Sequence, residues 1–200
     1  MILSSDTGSL TQYQSTRPDK GDIIRYKLIA RHCKGEVLDI GCGIGELGRY
    51  LTSTGNLGYV GLDTSGKVHI QGSVYQLPIR SDSFDTVVLS EILEHLENPK
   101  EALSEAVRIS KRRVVISVPN PWSLNQLTSV FFRKHNLLEP NHINLFGDNE
   151  ICRLALRCGL VVTEIQRFLI PILNSKYYIP IHSIFGEFTI YVCEKSSGLV

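Results

Sequence analysis

The stretch EVLDIGCGIGELGRYL, residues 36–51, sets Gly41, Gly43 and Gly45 between an apolar run and a helical one. Glycines at such a junction predict a backbone that adopts conformations closed to other residues and comes close to a ligand. VLDI reads as a short buried strand, and Leu47, Tyr50 and Leu51 fall at helical spacing in ELGRYL. A strand, a glycine loop and a helix in succession confine the chain to α/β folds, with the ligand at the strand's carboxyl end.

The rest of the chain continues the alternation. GDIIRYKLIARHC predicts a helix with Ile24, Leu28 and Arg31 on one stripe and Asp22 as its N-cap. GYVGLD and VHIQGSV read as the second and third strands, and FDTVVLSE as a strand buried on both faces. NPKEALSEAVRIS predicts an amphipathic helix opened by Pro99, and RRVVISVPN a further strand. DNEICRLALRCG predicts a helix running from an acidic cap to a glycine. LVVTEIQRF and EFTIYVCEK close a doubly wound, mostly parallel sheet.

Residues 21–200 are expected to form a single domain, preceded by a loose polar arm over residues 1–20. Residues 121–147 break the alternation and hold Trp122, Phe131, Phe132 and His142. This segment is expected to be a lid or substrate wall, or else a surface excursion with its own small core.

Composition narrows the function. With 21 basic and 20 acidic residues among 200, the net charge is +1, too small for a broad grip on nucleic acid. Five scattered cysteines without a C-x-x-C pair suggest neither a disulfide framework nor a zinc knuckle. With no signal peptide or membrane-length apolar run in the pattern, a cytoplasmic protein without a membrane is expected, monomeric or homodimeric.

The loop spacing is G-x-G-x-G, where a dinucleotide loop reads G-x-G-x-x-G. Glu46 follows in the first helical turn, where a pyrophosphate would sit, and Asp39 precedes the loop. Both carboxylates disfavour a phosphorylated ligand and suit a cationic nucleoside such as S-adenosylmethionine.

VLDIGCGIGELGRYL resembles the first motif of class I S-adenosylmethionine-dependent methyltransferases. The likeness continues through YVGLDTS, GSVYQLPIRSDSFDTVVLSEILEHLENP and NHINLFGDNEICRLALRCGLVVTEI, in order, over roughly residues 35–168. It implies a seven-stranded Rossmann-like sheet and methyl transfer to an acceptor, most simply an oxygen of a small molecule. It implies that Gly41, Cys42 and Gly43 border the methionine moiety, that Asp39 takes its ammonium, and that Asp63 grips the ribose hydroxyls beside Thr64. Ser73 and Val74 fall where the family contacts adenine, although the family commonly has an acid at the position of Ser73. Ser90 and Glu91 would lie beside the reacting methyl.

The chain departs from the family twice more. Gly72 follows Asp63 by nine positions, leaving no room for the usual helix between the second and third strands. That side is expected to be exposed, or covered by a partner or the arm. SKRR replaces the glycine turn before the fifth strand, and Lys111, Arg112 and Arg113 read as a solvated turn.

Glu91, Glu94 and His95 are spaced i, i+3, i+4, which on a helical turn puts them on one side, with His142 arriving from downstream. Two carboxylates and two imidazoles are a candidate site for Mg2+ or another divalent cation. The quartet resembles those of small-RNA 3′-end 2′-O-methyltransferases and of O-methyltransferases of ubiquinone biosynthesis. Without a metal, His95 or His142 could act as general base, with Glu91 alongside. An RNA 3′ end and a non-catalytic cofactor-binding regulatory role stand as alternatives.

Overall fold

The structure is a computed structural model describing residues 18, 20–55, 58–123, 142–171 and 178–196. Most of the expected arm, and Phe131 and Phe132 of the expected lid, lie outside the described residues.

Within them, eight strands form one sheet: β1 (Val37–Ile40), β2 (Tyr59–Asp63), β3 (Ile70–Gln71), β4 (Phe84–Ser90), β5 (Ser110–Pro119), β6 (Leu160–Pro171), β7 (Tyr178–His182) and β8 (Phe188–Lys195). Their order is β3-β2-β1-β4-β5-β8-β6-β7. The first five run parallel, and β8, β6 and β7 are added antiparallel. The seven expected strands are present, and β7 adds an eighth at the edge. The strand order reverses between β1 and β4, which places the ligand crevice at their carboxyl ends.

Period-two alternation assigns each residue to a face. Leu38, Ile40, Val87, Leu89, Val114 and Ile116 pack against α3 (Pro99–Ile109) and α4 (Asp148–Arg157). Val37, Val88 and Val115 pack on the other face against α1 (Lys20–Ala30) and α2 (Glu46–Ser53), through Leu28, Ile29, Leu47 and Leu51. Asp39, Asp63, Ser90 and Ser117 share the parity of this second group, so the polar residues of the crevice gather on the α1–α2 side.

Several local expectations are corrected. Asp22 lies inside the first turn of α1 and pairs with Arg25 at 2.8 Å, so it is not the N-cap. Gly147 caps α4, and its N–H donates to the Glu150 carboxylate; Asp148 is the first helical residue. Lys111, Arg112 and Arg113 do not form a turn. The chain passes from Ile109 directly into β5, and these cations meet Asp85 and Glu194, which draw them into the strand.

No helix intervenes between β2 and β3, where residues 64–69 form bends. Instead, Val74 and Leu77 from the following loop are buried with Leu62. Arg108 of α3 staples that loop by donating to the carbonyls of Leu77 and Ile79. On the other face the His69 ring meets the Tyr59 ring edge-on at 5.8 Å, and its Nδ1 accepts the Gly61 N–H. The chain's own side chains thus cover this part of the sheet.

Candidate cofactor and acceptor site

The glycine loop is tied down at its start. The N–H groups of Gly41 and Cys42 both donate to the Leu62 carbonyl at the end of β2, at 2.8 and 3.0 Å. Gly41, Gly43 and Gly45 have φ of 75°, 53° and 76°, a region that L side chains rarely enter. Their surroundings differ. A Cβ on Gly41 would lie 2.2 Å from Ile92 Cδ1, whereas among the described residues no atom beyond the chain neighbours lies within 4 Å of the corresponding position on Gly43 or Gly45. Gly41 is therefore needed for internal packing, and Gly43 and Gly45 are where the backbone is open to approach.

Two carboxylates lie near the loop, Asp63 at its surface and Asp39 buried beneath it. Asp39 is 2% exposed and accepts the Tyr59 hydroxyl at 2.9 Å. Burial pushes its carboxyl up to about 7; the Tyr59 bond pulls it down and the charge of Asp63 adds to the rise. Asp63 accepts the Gly43 N–H at 2.9 Å and the Thr64 N–H at 2.7 Å, which aims the carboxylate across the loop. Glu46 contributes less than expected, because Arg49, one turn along α2, forms an ion pair with it. The acidic groups that remain at the loop are Asp63 and the buried Asp39. Burial pushes the Cys42 thiol up to about 12, with Asp39 and Asp63 adding to the shift, which suits a packing residue.

The expected adenine contacts are mixed. The Val74 side chain is buried in the core. The Ser73 hydroxyl accepts the Tyr75 N–H at 3.4 Å. Ser90 Oγ lies 3.1 Å from Ser117 Oγ, at the carboxyl ends of β4 and β5.

The expected quartet divides. Glu94, His95 and His142 bring one ligand atom each within 4.8 Å of one another. The two imidazole rings meet edge-on with centroids 4.7 Å apart. Backbone geometry causes this: the Ile143 and Asn144 N–H groups donate to the Glu94 carbonyl, and the Asn144 side chain donates to Leu96 O at 2.6 Å. Glu91 does not join them. Its φ of 52° breaks the helical register, only Leu93–His95 forms a short 3-10 turn, and its carboxylate accepts the Ser117 hydroxyl at 2.8 Å.

Of the expected lid, Trp122 is 65% exposed. Phe146 is buried in the core instead, so the end of that segment is part of the domain body. Tyr59, Ser117 and Asn144 shape the site without standing out in sequence. A lone serine in the apolar run VVISVP was the available signal for Ser117; Tyr59 and Asn144 gave none.

Residues 38–118 match the family of methyltransferase domains. A segment of 88 residues is 32% identical to an uncharacterized methyltransferase of Schizosaccharomyces pombe, covering 43% of this chain and 32% of that protein, so the chain spans under a third of this relative. Among solved structures, an S-adenosylmethionine-dependent methyltransferase of Thermotoga maritima superposes with a TM-score of 0.65 at 18% identity, over 87% of this chain and 95% of the other. The Haloferax volcanii methyltransferase complexed with the Trm112 activator gives 0.65 at 19% identity, over 87% and 89%. Magnesium protoporphyrin IX methyltransferase of Synechocystis, solved with S-adenosylhomocysteine, gives 0.60 at 20% identity, over 88% and 82%. At these identities the structures establish the fold. No helix among the described residues is long and apolar enough to cross a membrane.

Proposed function

The chain carries a methyltransferase domain with the class I S-adenosylmethionine-dependent fold, and on that premise we propose that it methylates an oxygen atom of a small-molecule acceptor. The observation that carries this reading is the pair of carboxylates at the glycine loop, Asp63, which accepts the Gly43 N–H, and Asp39, buried near it. A buried carboxyl poised near neutrality is drawn to its ionised form by an adjacent ammonium, and a carboxylate is a strong acceptor for a ribose diol. The residues therefore fit S-adenosylmethionine, which when bound supplies an electrophilic methyl carbon on a sulfonium.

The chain's own task is positioning. Holding an acceptor in line with that carbon can supply about 7–11 kcal/mol of the barrier. Glu91, Ser90 and Ser117 line the carboxyl ends of β4 and β5, and Glu91 is the carboxylate that would face the acceptor hydroxyl. His95, exposed, and His142, half-buried, are the candidates to take the hydroxyl proton, as imidazole suits neutral pH. The near-neutral net charge favours a small acceptor over an RNA 3′ end.

The Glu94, His95 and His142 cluster supports a second reading, in which a divalent cation assists. One carboxylate and two imidazoles suit a transition-type ion such as zinc better than Mg2+, which prefers oxygen ligands. A metal there would acidify a bound acceptor hydroxyl.

Transfer of tritium from methyl-labelled S-adenosylmethionine to a panel of phenols, catechols and short RNAs tests the proposal. Labelled phenol or catechol is expected; labelling confined to RNA ends would replace the small-molecule reading.

A further inference from the structure

Glu91 is held by more than a turn residue requires. Its N–H donates to the Ser117 carbonyl at 3.0 Å, and its carboxylate accepts the Ser117 hydroxyl at 2.8 Å. Its φ of 52° is a conformation a non-glycine residue keeps only when its surroundings impose it. The Glu91 side chain is nevertheless 23% exposed, so it is not sealed from another molecule.

A further contact comes from the N-terminal helix. Arg25 precedes Leu28 and Ile29 by one turn of α1, and that spacing puts all three on the face against the sheet. Leu28 and Ile29 enter the core, which leaves the Arg25 guanidinium over the carboxyl end of β4 and the amino end of β8. There it lies 3.9 Å from Glu91, 5.4 Å from the Tyr26 ring centroid and 5.8 Å from that of Phe188. Asp22 pairs with it at 2.8 Å. Its Nε is buried and has no hydrogen-bond partner among the described residues, so the guanidinium is not placed to satisfy all its own donors there.

We propose that Arg25 is a positioning residue for Glu91, through which α1 becomes part of the acceptor site. The proposal rests on the methyltransferase reading only in taking Glu91 as the carboxylate that faces the acceptor. The aromatic rings and Asp22 fix the cation, the cation fixes one side of the Glu91 carboxylate, and Ser117 fixes the other. An acceptor hydroxyl then meets a carboxylate in one orientation. A contact that merely docked α1 would be replaceable by an apolar side chain of similar length.

Amide hydrogen exchange of Arg25→Met against the wild type separates the two roles without an acceptor. The expected result is exchange about tenfold faster at the Glu91 amide, with the Leu28 and Ile29 amides of α1 unchanged. In Arg25→Lys, which keeps the charge, the Glu91 amide is expected to stay within about threefold of the wild type. Unchanged exchange at Glu91 in the methionine variant would overturn the proposal. So would equal acceleration in α1, since a loosened helix would then explain both. S-adenosylhomocysteine binding is measured in parallel; its absence in the wild type would remove the methyltransferase reading and leave the Arg25–Glu91 coupling intact.

Discussion

The Tyr59 hydroxyl donates to the Asp39 carboxylate across 2.9 Å, joining β2 to β1 beneath the glycine loop. Asp39 has the largest consequences for pH. Its carboxyl is raised from 3.8 to about 7, so the folded protein holds a proton that the unfolded chain releases earlier. This contribution to stability is therefore lost as pH rises from about 4 to 7.

For an ammonium-bearing ligand the sign reverses, because the ligand favours ionised Asp39. S-adenosylhomocysteine is predicted to bind up to about tenfold more tightly at pH 8 than at pH 6. Calorimetry in buffers of different ionisation enthalpy checks this through the proton released. Tyr59→Phe removes a bond that favours the ionised form and is expected to move the transition to higher pH; Asp39→Asn is expected to abolish it.

The glycines separate packing from binding. Gly41→Ala sets a Cβ against Ile92 at a positive φ and is predicted to cost about 2–4 kcal/mol of unfolding free energy, read by urea denaturation. Gly43→Ala meets no neighbour among the described residues. Its main expected effect is weaker S-adenosylhomocysteine binding, with a strain cost of about 1 kcal/mol.

Asp63→Ala removes the acceptor of the Gly43 and Thr64 N–H groups. Loss of a charged hydrogen-bond acceptor predicts cofactor affinity lower by about 10–100-fold. Equal affinity would place the ribose elsewhere.

The histidine cluster makes a separate prediction. Zinc titration by calorimetry is expected to show one site, weakened at least about tenfold by His95→Ala or His142→Ala. Glu91→Gln is expected to leave zinc affinity unchanged, since Glu91 lies with Ser117. A loss there equal to that of the histidine variants would restore the four-residue site.

Local pattern made much of this legible. β1, the glycine loop and α2 follow from adjacent residues, and the apolar run of β4 marks a central strand by itself. Long-range pairing was not legible. Lys111, Arg112 and Arg113 read as a turn until Asp85 and Glu194, remote in sequence, are seen to pair with them. The separation of Glu91 from His95 depends on one left-handed residue and on a serine in the neighbouring strand, and helical spacing could express neither. Glu46 looked decisive for the loop until α2 placed Arg49 beside it.

Asp39 and Asp63 are expected to select a cationic nucleoside over a phosphorylated one. Calorimetry of the protein with S-adenosylmethionine and with NAD in one buffer tests it most directly. Saturable binding of S-adenosylmethionine with no detectable heat from NAD is the predicted result, and tighter binding of NAD would contradict it.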